Sequence, residues 1–241
     1  MRLDARLSLL CELAAPCGIL ADIGADHGRL SAHMLLTGGA KRALLCDISA
    51  ASLQKARLLF EKLPESVRAR AEFCVGDGLA ALPEGAKPDA LVIAGMGGGA
   101  IARILEAGAE RLAAPALILQ PNVAHPALRE ALARLGYRIT EERIANAEGR
   151  WYVAIKALPD KEGGVCYSRM ELTVGPMLLK KGDPKLIGYC RHKLRVLAKA
   201  RRGALGSGGV SAPQVARIDL EIAYFRQLAR AHLHSRRGAL Q

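Results

Sequence analysis

The chain has 241 residues, 51% of them hydrophobic, and a formal net charge of +12. That length and apolar content suit one large domain, or a main domain with a small appendage, and exclude a chain disordered throughout. The charge is segregated: residues 1–157 carry 19 Lys and Arg against 17 Asp and Glu, whereas residues 158–241 carry 16 against 6. A separate basic region reads as a contact for a polyanion, nucleic acid first, with a solvated helical surface as the plainer alternative. Cys11, Cys17, Cys46, Cys74, Cys166 and Cys190 form no CxxC pair and no zinc-like spacing with histidine, so no metal is expected. Several sit inside apolar runs, where a buried free thiol is the expectation, in a reducing, cytoplasmic protein. Asp4, Arg6 and Glu12 interrupt any signal-peptide core, and the longest apolar run, residues 90–102, falls short of the ~20 residues of a membrane span.

Leu3, Leu7, Leu10 and Ala14 recur at helical spacing and predict a short amphipathic helix over residues 2–14. An apolar strand over 18–23 then breaks at Gly24, and a helix resumes at about Arg29 and stops at Gly38-Gly39. Ala43-Leu44-Leu45-Cys46 is a second strand ending at Asp47, after which Ser49 can cap a helix. Strands over 72–75, 90–94 and 116–119 follow, the last two trailed by helices marked by Ile101, Ile104 and Leu105 and by Leu128, Leu132 and Leu135. The alternation then stops: residues 137–144 and 151–157 read as a hairpin turning at Asn146-Ala147-Glu148-Gly149. Five strand–helix units and an antiparallel pair predict an α/β, Rossmann-like, doubly wound seven-stranded sheet with one reversed strand, the arrangement of class I methyltransferases.

Residues 158–168 look like a linker between a domain over 1–157 and a basic helical domain over 158–241. Asp183-Pro184 suits a helix start, and Ile187, Cys190, Leu194 and Leu197 repeat at spacings of three and four. A flexible turn over Gly203 to Gly209, a capping box at Ser211 and Gln214, and a second apolar stripe from Val215 to Ala229 complete an expected antiparallel coiled coil. Arg191, Lys193, Arg195, Lys199, Arg201 and Arg202 make its first helix the candidate RNA-binding face, and the tail from His232 is expected to fray.

In doubly wound sheets, ligands bind outside the carboxyl ends of the strands. Here those ends carry Gly24-Ala25-Asp26-His27, Asp47, Asp77-Gly78, Gly95-Met96-Gly97 and Gln120-Pro121-Asn122. Asp26 stands where a dinucleotide loop has glycine, and a carboxylate there repels a pyrophosphate at a helix N-terminus. A cationic ligand such as S-adenosylmethionine fits better. Asp47, about 23 residues past Gly24, suits ribose hydroxyls, and Asp77 suits the exocyclic amine of an adenine. The glycines at 95, 97 and 98 leave room for the cofactor or a base. Asp22 and Met96 complete the candidate cofactor set. Each carboxylate alone reads equally well as a helix cap.

Ala21-Asp22-Ile23-Gly24-Ala25-Asp26-His27, Ile93-Ala94-Gly95-Met96-Gly97-Gly98 and Leu117-Ile118-Leu119-Gln120-Pro121-Asn122 together resemble the signature of the bacterial tRNA adenine-N1 methyltransferases acting on adenine 22, and Val174-Gly175-Pro176 is similar too. The resemblance implies a Rossmann-like methyltransferase domain, a C-terminal coiled-coil domain, S-adenosylmethionine as donor and tRNA as partner. Three positions depart from the family pattern: Arg29 replaces an aromatic, Ser31 a proline, and Asp47 a glutamate. Arg29 puts the stacking of the target base in question and joins the candidate RNA contacts.

The chemistry agrees with what is missing. The (Asp/Asn)-Pro-Pro-(Tyr/Phe) motif of exocyclic-amine methyltransferases is replaced by Ala94-Gly95-Met96-Gly97, and no cysteine stands where a pyrimidine C5 nucleophile belongs. A ring nitrogen already has a lone pair and needs alignment, not covalent activation. Asp26 is the first candidate to stabilise the charge left on the adenine or to accept a proton. His27 is the second, as a base or as a residue that holds the loop, and Asn122 suits the base edge. A small-molecule methyltransferase and a non-catalytic RNA-binding protein are the alternatives; the oligomeric state stays open, a monomer being the simpler reading.

Overall fold

A computed structural model describes residues 1–112, 115–206 and 211–238. The chain divides into two units, Met1–Tyr167 and Ser168–Gln241. In the first, helix α1 (Ala5–Ala14) starts where the Asp4 carboxylate accepts the Leu7 N–H at 2.8 Å. The chain then alternates: β1 (Cys17–Ile23), α2 (Arg29–Leu36), β2 (Ala40–Asp47), α3 (Ala50–Phe60), the one-turn α4 (Glu65–Arg68), β3 (Ala71–Val75), β4 (Ala90–Met96), α5 (Gly98–Ala107), β5 (Ala116–Pro121) and α6 (His125–Arg134). The hairpin β6 (Tyr137–Ala147) and β7 (Arg150–Pro159) closes the unit.

The sheet order is β3-β2-β1-β4-β5-β7-β6, with β1 to β5 mutually parallel and β7 antiparallel to both neighbours. The expected seven-stranded doubly wound sheet with one reversed strand is therefore present. β7 reverses because a two-residue connection can join only antiparallel strands. Glu148 and Gly149 both take left-handed φ, +52° and +78°, as a hairpin turn matched to strand twist requires. The central strands read as continuous apolar runs because helices cover both faces: Leu20, Leu45, Val92, Ile93, Ile118 and Leu119 are all buried.

Three expectations change. β4 continues to Met96 instead of ending at Ala94, with a register shift at Gly95. Gly98 makes no room for a ligand: it opens α5, and a Cβ there would lie 2.4 Å from the Ala124 carbonyl oxygen. Its role is close packing between α5 and the loop after β5. The segment 158–168 is not a linker either: Ser168 already caps a helix. β7 runs to Pro159, Arg138 reaches Asp160 at 3.0 Å, and Tyr167 Oη accepts the Ile139 N–H at 2.9 Å. These bonds tie the segment to the sheet edge and move the boundary between units from residue 158 to Ser168.

In the second unit, a capping box between Ser168 and Glu171 starts α7 (Arg169–Val174), and Pro176 opens α8 (Pro176–Lys181). Neither short helix has enough apolar repeats to announce itself. Asp183 holds a turn by accepting the Lys185 N–H at 2.7 Å, and α9 (Leu186–Gly206) follows. α9 and α10 (Ala212–Gly238) pack as an antiparallel pair, with Tyr189 edge-on to Phe225 at 6.0 Å and Arg201 bonded to Asp219 at 2.5 Å. Gly203, expected in the turn, is helical; residues 207–210 of that expected turn lie outside the described residues. The helical backbone reaches Gly238, so fraying from His232 is not seen there, and residues 239–241 lie outside the described residues. No helix among the described residues is long and apolar enough to cross a membrane, and among them no cluster of side chains is arranged to hold a metal ion.

Candidate active site

The carboxyl ends of the parallel strands open onto a cleft of about 800 Å³. Its floor is the loop from β1 to α2. Gly24, Asp26 and Gly28 all take left-handed φ, at +76°, +45° and +65°. The Gly24 and Ala25 N–H groups donate to the Cys46 carbonyl at 2.8 and 3.0 Å, which fastens the loop to β2. Gly28 has no substitute: a Cβ would sit 2.9 Å from both Ala56 Cβ and Leu45 Cδ2. Asp26 holds a conformation that costs a non-glycine residue energy, and its N–H donates to Asp47 Oδ2 at 3.1 Å.

The carboxylates differ in burial and in partners. Asp22 is buried and accepts the Ser31 hydroxyl proton at 2.7 Å. Burial pushes its carboxyl up to about 6; the Ser31 hydrogen bonds oppose this and the Asp47 charge adds to it. Asp47 accepts the Asp26 N–H on one oxygen and the Ser49 N–H, at 2.8 Å, on the other. Each oxygen keeps a second lone pair for a ligand. The α3 cap is Ser49, not Asp47, since Ser49 Oγ accepts the Ser52 N–H. Asp77 is exposed before the 3-10 turn Gly78–Ala81 and makes no capping bond. Asp26 and His27 lie 3.5 Å apart and are both exposed. The helix-cap alternative thus fails for Asp47 and Asp77.

On the other wall, Gly95 at φ +81° turns its carbonyl to accept from Asn122 Nδ2 at 2.7 Å. Asn122 Oδ1 accepts from Gln120 Nε2 at 3.0 Å, and Gln120 Oε1, fully buried, accepts from Arg6 Nη1 at 3.0 Å. Met96 reaches towards the loop, its Cε 3.3 Å from where a Gly24 Cβ would stand.

Asp22, Gly24, Asp26, His27, Arg29, Asp47, Asp77, Gly78, Gly95, Met96 and Asn122 all line this one cleft. Gly97 does not; it sits at the start of α5, where its carbonyl accepts the Ala100 and Ile101 N–H groups. Sequence reasoning missed Arg6 from α1, Ile48 after β2, and Glu148, Arg150 and Tyr152 from the hairpin. Arg6 had a signal: it falls on the stripe of Leu3 and Leu10, where a charge needs a partner. The hairpin residues had none, because a strand's period does not say what lies above its turn. Arg29 donates to the Arg2 carbonyl at 2.9 Å. In the second unit, Arg191, Arg195, Lys199 and Arg202 are exposed along α9. Lys193 instead lies over the Phe225 ring at 5.7 Å and Arg201 pairs with Asp219, so both face α10.

The cleft fits S-adenosyl-L-methionine. Six lining carboxylates, Asp22, Asp26, Asp47 and Asp77 with Asp4 and Glu148, suit a cationic ligand, Asp47 has acceptor capacity for vicinal hydroxyls, and the left-handed loop lets backbone approach closely. Fold and cleft together define a class I S-adenosyl-L-methionine-dependent methyltransferase. The sequence model of the tRNA (adenine(22)-N(1))-methyltransferase family matches residues 20–207. The tRNA (adenine(22)-N(1))-methyltransferase of Bacillus subtilis (strain 168) is 34% identical over 186 residues, covering 75% of this chain and 76% of the relative. Among solved structures, Sp1610 of Streptococcus pneumoniae in complex with S-adenosyl-L-methionine superposes with a TM-score of 0.81 at 27% identity, over 95% of this chain and 100% of that one. The B. subtilis m1A22 tRNA methyltransferase superposes with a TM-score of 0.80 at 26% identity, over 95% and 99%. The chain belongs to the tRNA (adenine(22)-N(1))-methyltransferase family, enzymes that use S-adenosyl-L-methionine to methylate N1 of an adenine in tRNA.

Proposed function

We propose that this chain methylates N1 of adenine 22 in tRNA and that the cleft divides the work as follows. When bound, S-adenosyl-L-methionine supplies an electrophilic methyl group on a positively charged sulfur. Asp47 holds the ribose hydroxyls, Asp77 the amine of the donor's adenine, and the Gly24–Gly28 backbone the space between them. The target adenine leaves its stack to enter the cleft, and its N1 lone pair takes the methyl group. Positive charge then moves from the sulfur to the base, and Asp26 lies on the loop nearest to it. His27, 3.5 Å from Asp26, keeps that carboxylate in place. Asn122 binds the base edge.

The observation that carries this reading is the gathering of Asp22, Asp26, Asp47 and Asp77 around one cleft. The exposed stripe Arg191, Arg195, Lys199 and Arg202 is the tRNA contact, joined by Arg29 at the cleft. The six cysteines are free thiols, which suits a cytoplasmic enzyme, and we take it to act as a monomer.

Mass spectrometry of tRNA nucleosides after incubation with enzyme and donor tests this. Wild type is expected to form 1-methyladenosine, and mapping should place it at position 22. Asp26→Ala is expected to lower kcat by about 10²–10³-fold, the range for losing one electrostatic stabiliser, while donor Kd stays within threefold. Near-normal turnover in that variant would remove Asp26 from the chemistry. A wild-type enzyme that binds tRNA without transferring a methyl group would overturn the reading.

A further inference from the structure

The wall of the cleft holds a chain of side chains whose hydrogen-bond polarity is fixed from one end. Arginine has donors and no acceptor, so the Gln120 group facing Arg6 must be its carbonyl oxygen. Gln120 Nε2 must then face Asn122, and Asn122 must answer with Oδ1. The far end agrees: Asn122 Nδ2 meets the Gly95 carbonyl, which only accepts. Three groups, one each from α1, β5 and β4, thus leave Asn122 one allowed orientation, where a free carboxamide has two.

Each link is held in place. Gln120 is fully buried, and an unpaired amide there would cost its full desolvation. Arg6 is braced by the Tyr152 ring, 5.6 Å from its guanidinium carbon. Gly95 adds a steric limit, since a Cβ at that position would come 3.4 Å from Arg6 Nη1. Its φ of +81° also aims the carbonyl that Asn122 needs.

We propose that Arg6 and Gln120 are positioning residues for the methyl transfer: they set which way round Asn122 presents its amide to the target adenine. The proposal rests on the functional reading above. After its two internal bonds, Asn122 keeps one N–H and one lone pair. That donor–acceptor pair matches the amino group and N7 of adenine and leaves N1 open to the methyl group. With the amide turned over, donor and acceptor change places and the base is held out of line. Small misplacements of a reacting group cost about 10²-fold in rate.

Gln120→Glu is the test, because it replaces only the donor to Asn122. The Arg6 link survives as an ion pair, while Asn122 must turn Nδ2 towards the new carboxylate. Expected are a fall in kcat of at least tenfold at saturating tRNA, donor Kd within twofold of wild type, and a neutron structure of the free variant, which shows the amide hydrogens directly, with the Asn122 amide reversed. Arg6→Lys, which still donates, should keep at least a third of wild-type kcat, whereas Arg6→Met, in which the Gly95 carbonyl still holds Asn122 Nδ2, should fall further than Arg6→Lys but less than Gln120→Glu. Wild-type kcat in a folded Gln120→Glu variant would overturn the proposal. So would a loss of donor affinity in Arg6→Met as large as its loss of rate, which would make Arg6 a donor-binding residue. If wild-type enzyme makes no 1-methyladenosine, it is the functional reading that fails, and the Asn122 amide orientation in the neutron structure of Gln120→Glu still tests the relay itself.

Discussion

Asp22 is kept where burial opposes its charge, at the floor of a cleft that suits a cation. Its carboxyl stands at about 6 in the folded chain against 3.8 ordinarily. The folded state therefore holds the proton more tightly than the unfolded chain does, and ionised Asp22 destabilises the free protein. Linkage fixes the direction: the penalty is absent below about pH 4, grows as pH rises to about 6, and is complete above it. A change of that size corresponds to about 3 kcal/mol. Asp22→Asn keeps an acceptor for Ser31 and removes the charge. Thermal melting without donor should put the variant above wild type by roughly 6–12 °C at pH 8, with the gap closing between pH 6 and pH 4. Donor affinity should fall in the same variant, since the cation loses a partner. A gap that does not change with pH would mean that Asp22 is not the group responsible. Gly28 makes a second case at this scale. Its left-handed φ and the 2.9 Å approach to Leu45 and Ala56 leave no room for a methyl group, so Gly28→Ala should cost about 1–3 kcal/mol in a denaturant titration.

Elements are joined by interactions that single residues do not reveal. Arg129 of α6 and Glu142 of β6 form a bond of 2.8 Å with both side chains essentially inaccessible. Removing Glu142 takes the countercharge from a buried guanidinium, so Glu142→Ala should cost about 3–5 kcal/mol, whereas the paired Arg129→Met, Glu142→Leu replacement should recover most of the loss. Equal losses in the single and double variants would assign the cost to packing instead. This pair also marks what the sequence could not disclose. The strands were legible because continuous apolar runs such as Ala43-Leu44-Leu45-Cys46 end abruptly in a carboxylate or glycine. The shared location of Asp22, Asp26, Asp47, Asp77 and Asn122 was legible because parallel strands deliver all their carboxyl ends to one side. Arg129 was invisible because it reads as an ordinary surface residue of an amphipathic helix until β6 supplies Glu142. The role of Gly98 was misjudged for a related reason: a glycine kept for packing against Ala124 looks the same in sequence as one kept for a ligand.

At the scale of the whole molecule, the deciding feature is the separation of charge: an almost balanced catalytic part and a strongly basic remainder. Phosphate contacts made by lysine and arginine release counterions, so affinity for tRNA should fall linearly on a log–log plot against salt. The structure divides the basic residues of α9 into two groups. Arg201 and Lys193 engage Asp219 and Phe225, and their replacement should loosen the pairing of α9 with α10. Arg191, Arg195, Lys199 and Arg202 are exposed, and at spacings of four, four and three they share one helix face. Replacing these four with glutamine should weaken tRNA binding with little change in melting temperature or donor Kd. The salt slope should flatten by about three, because each lost phosphate contact removes about 0.7–0.9. Methylation should then fail through a raised KM for tRNA while kcat is retained. An unchanged slope in the fourfold variant would move the tRNA contact elsewhere, with Arg29, Arg150 and the cleft rim next in line. An unchanged slope with unchanged turnover would mean that the basic face plays no part in substrate capture.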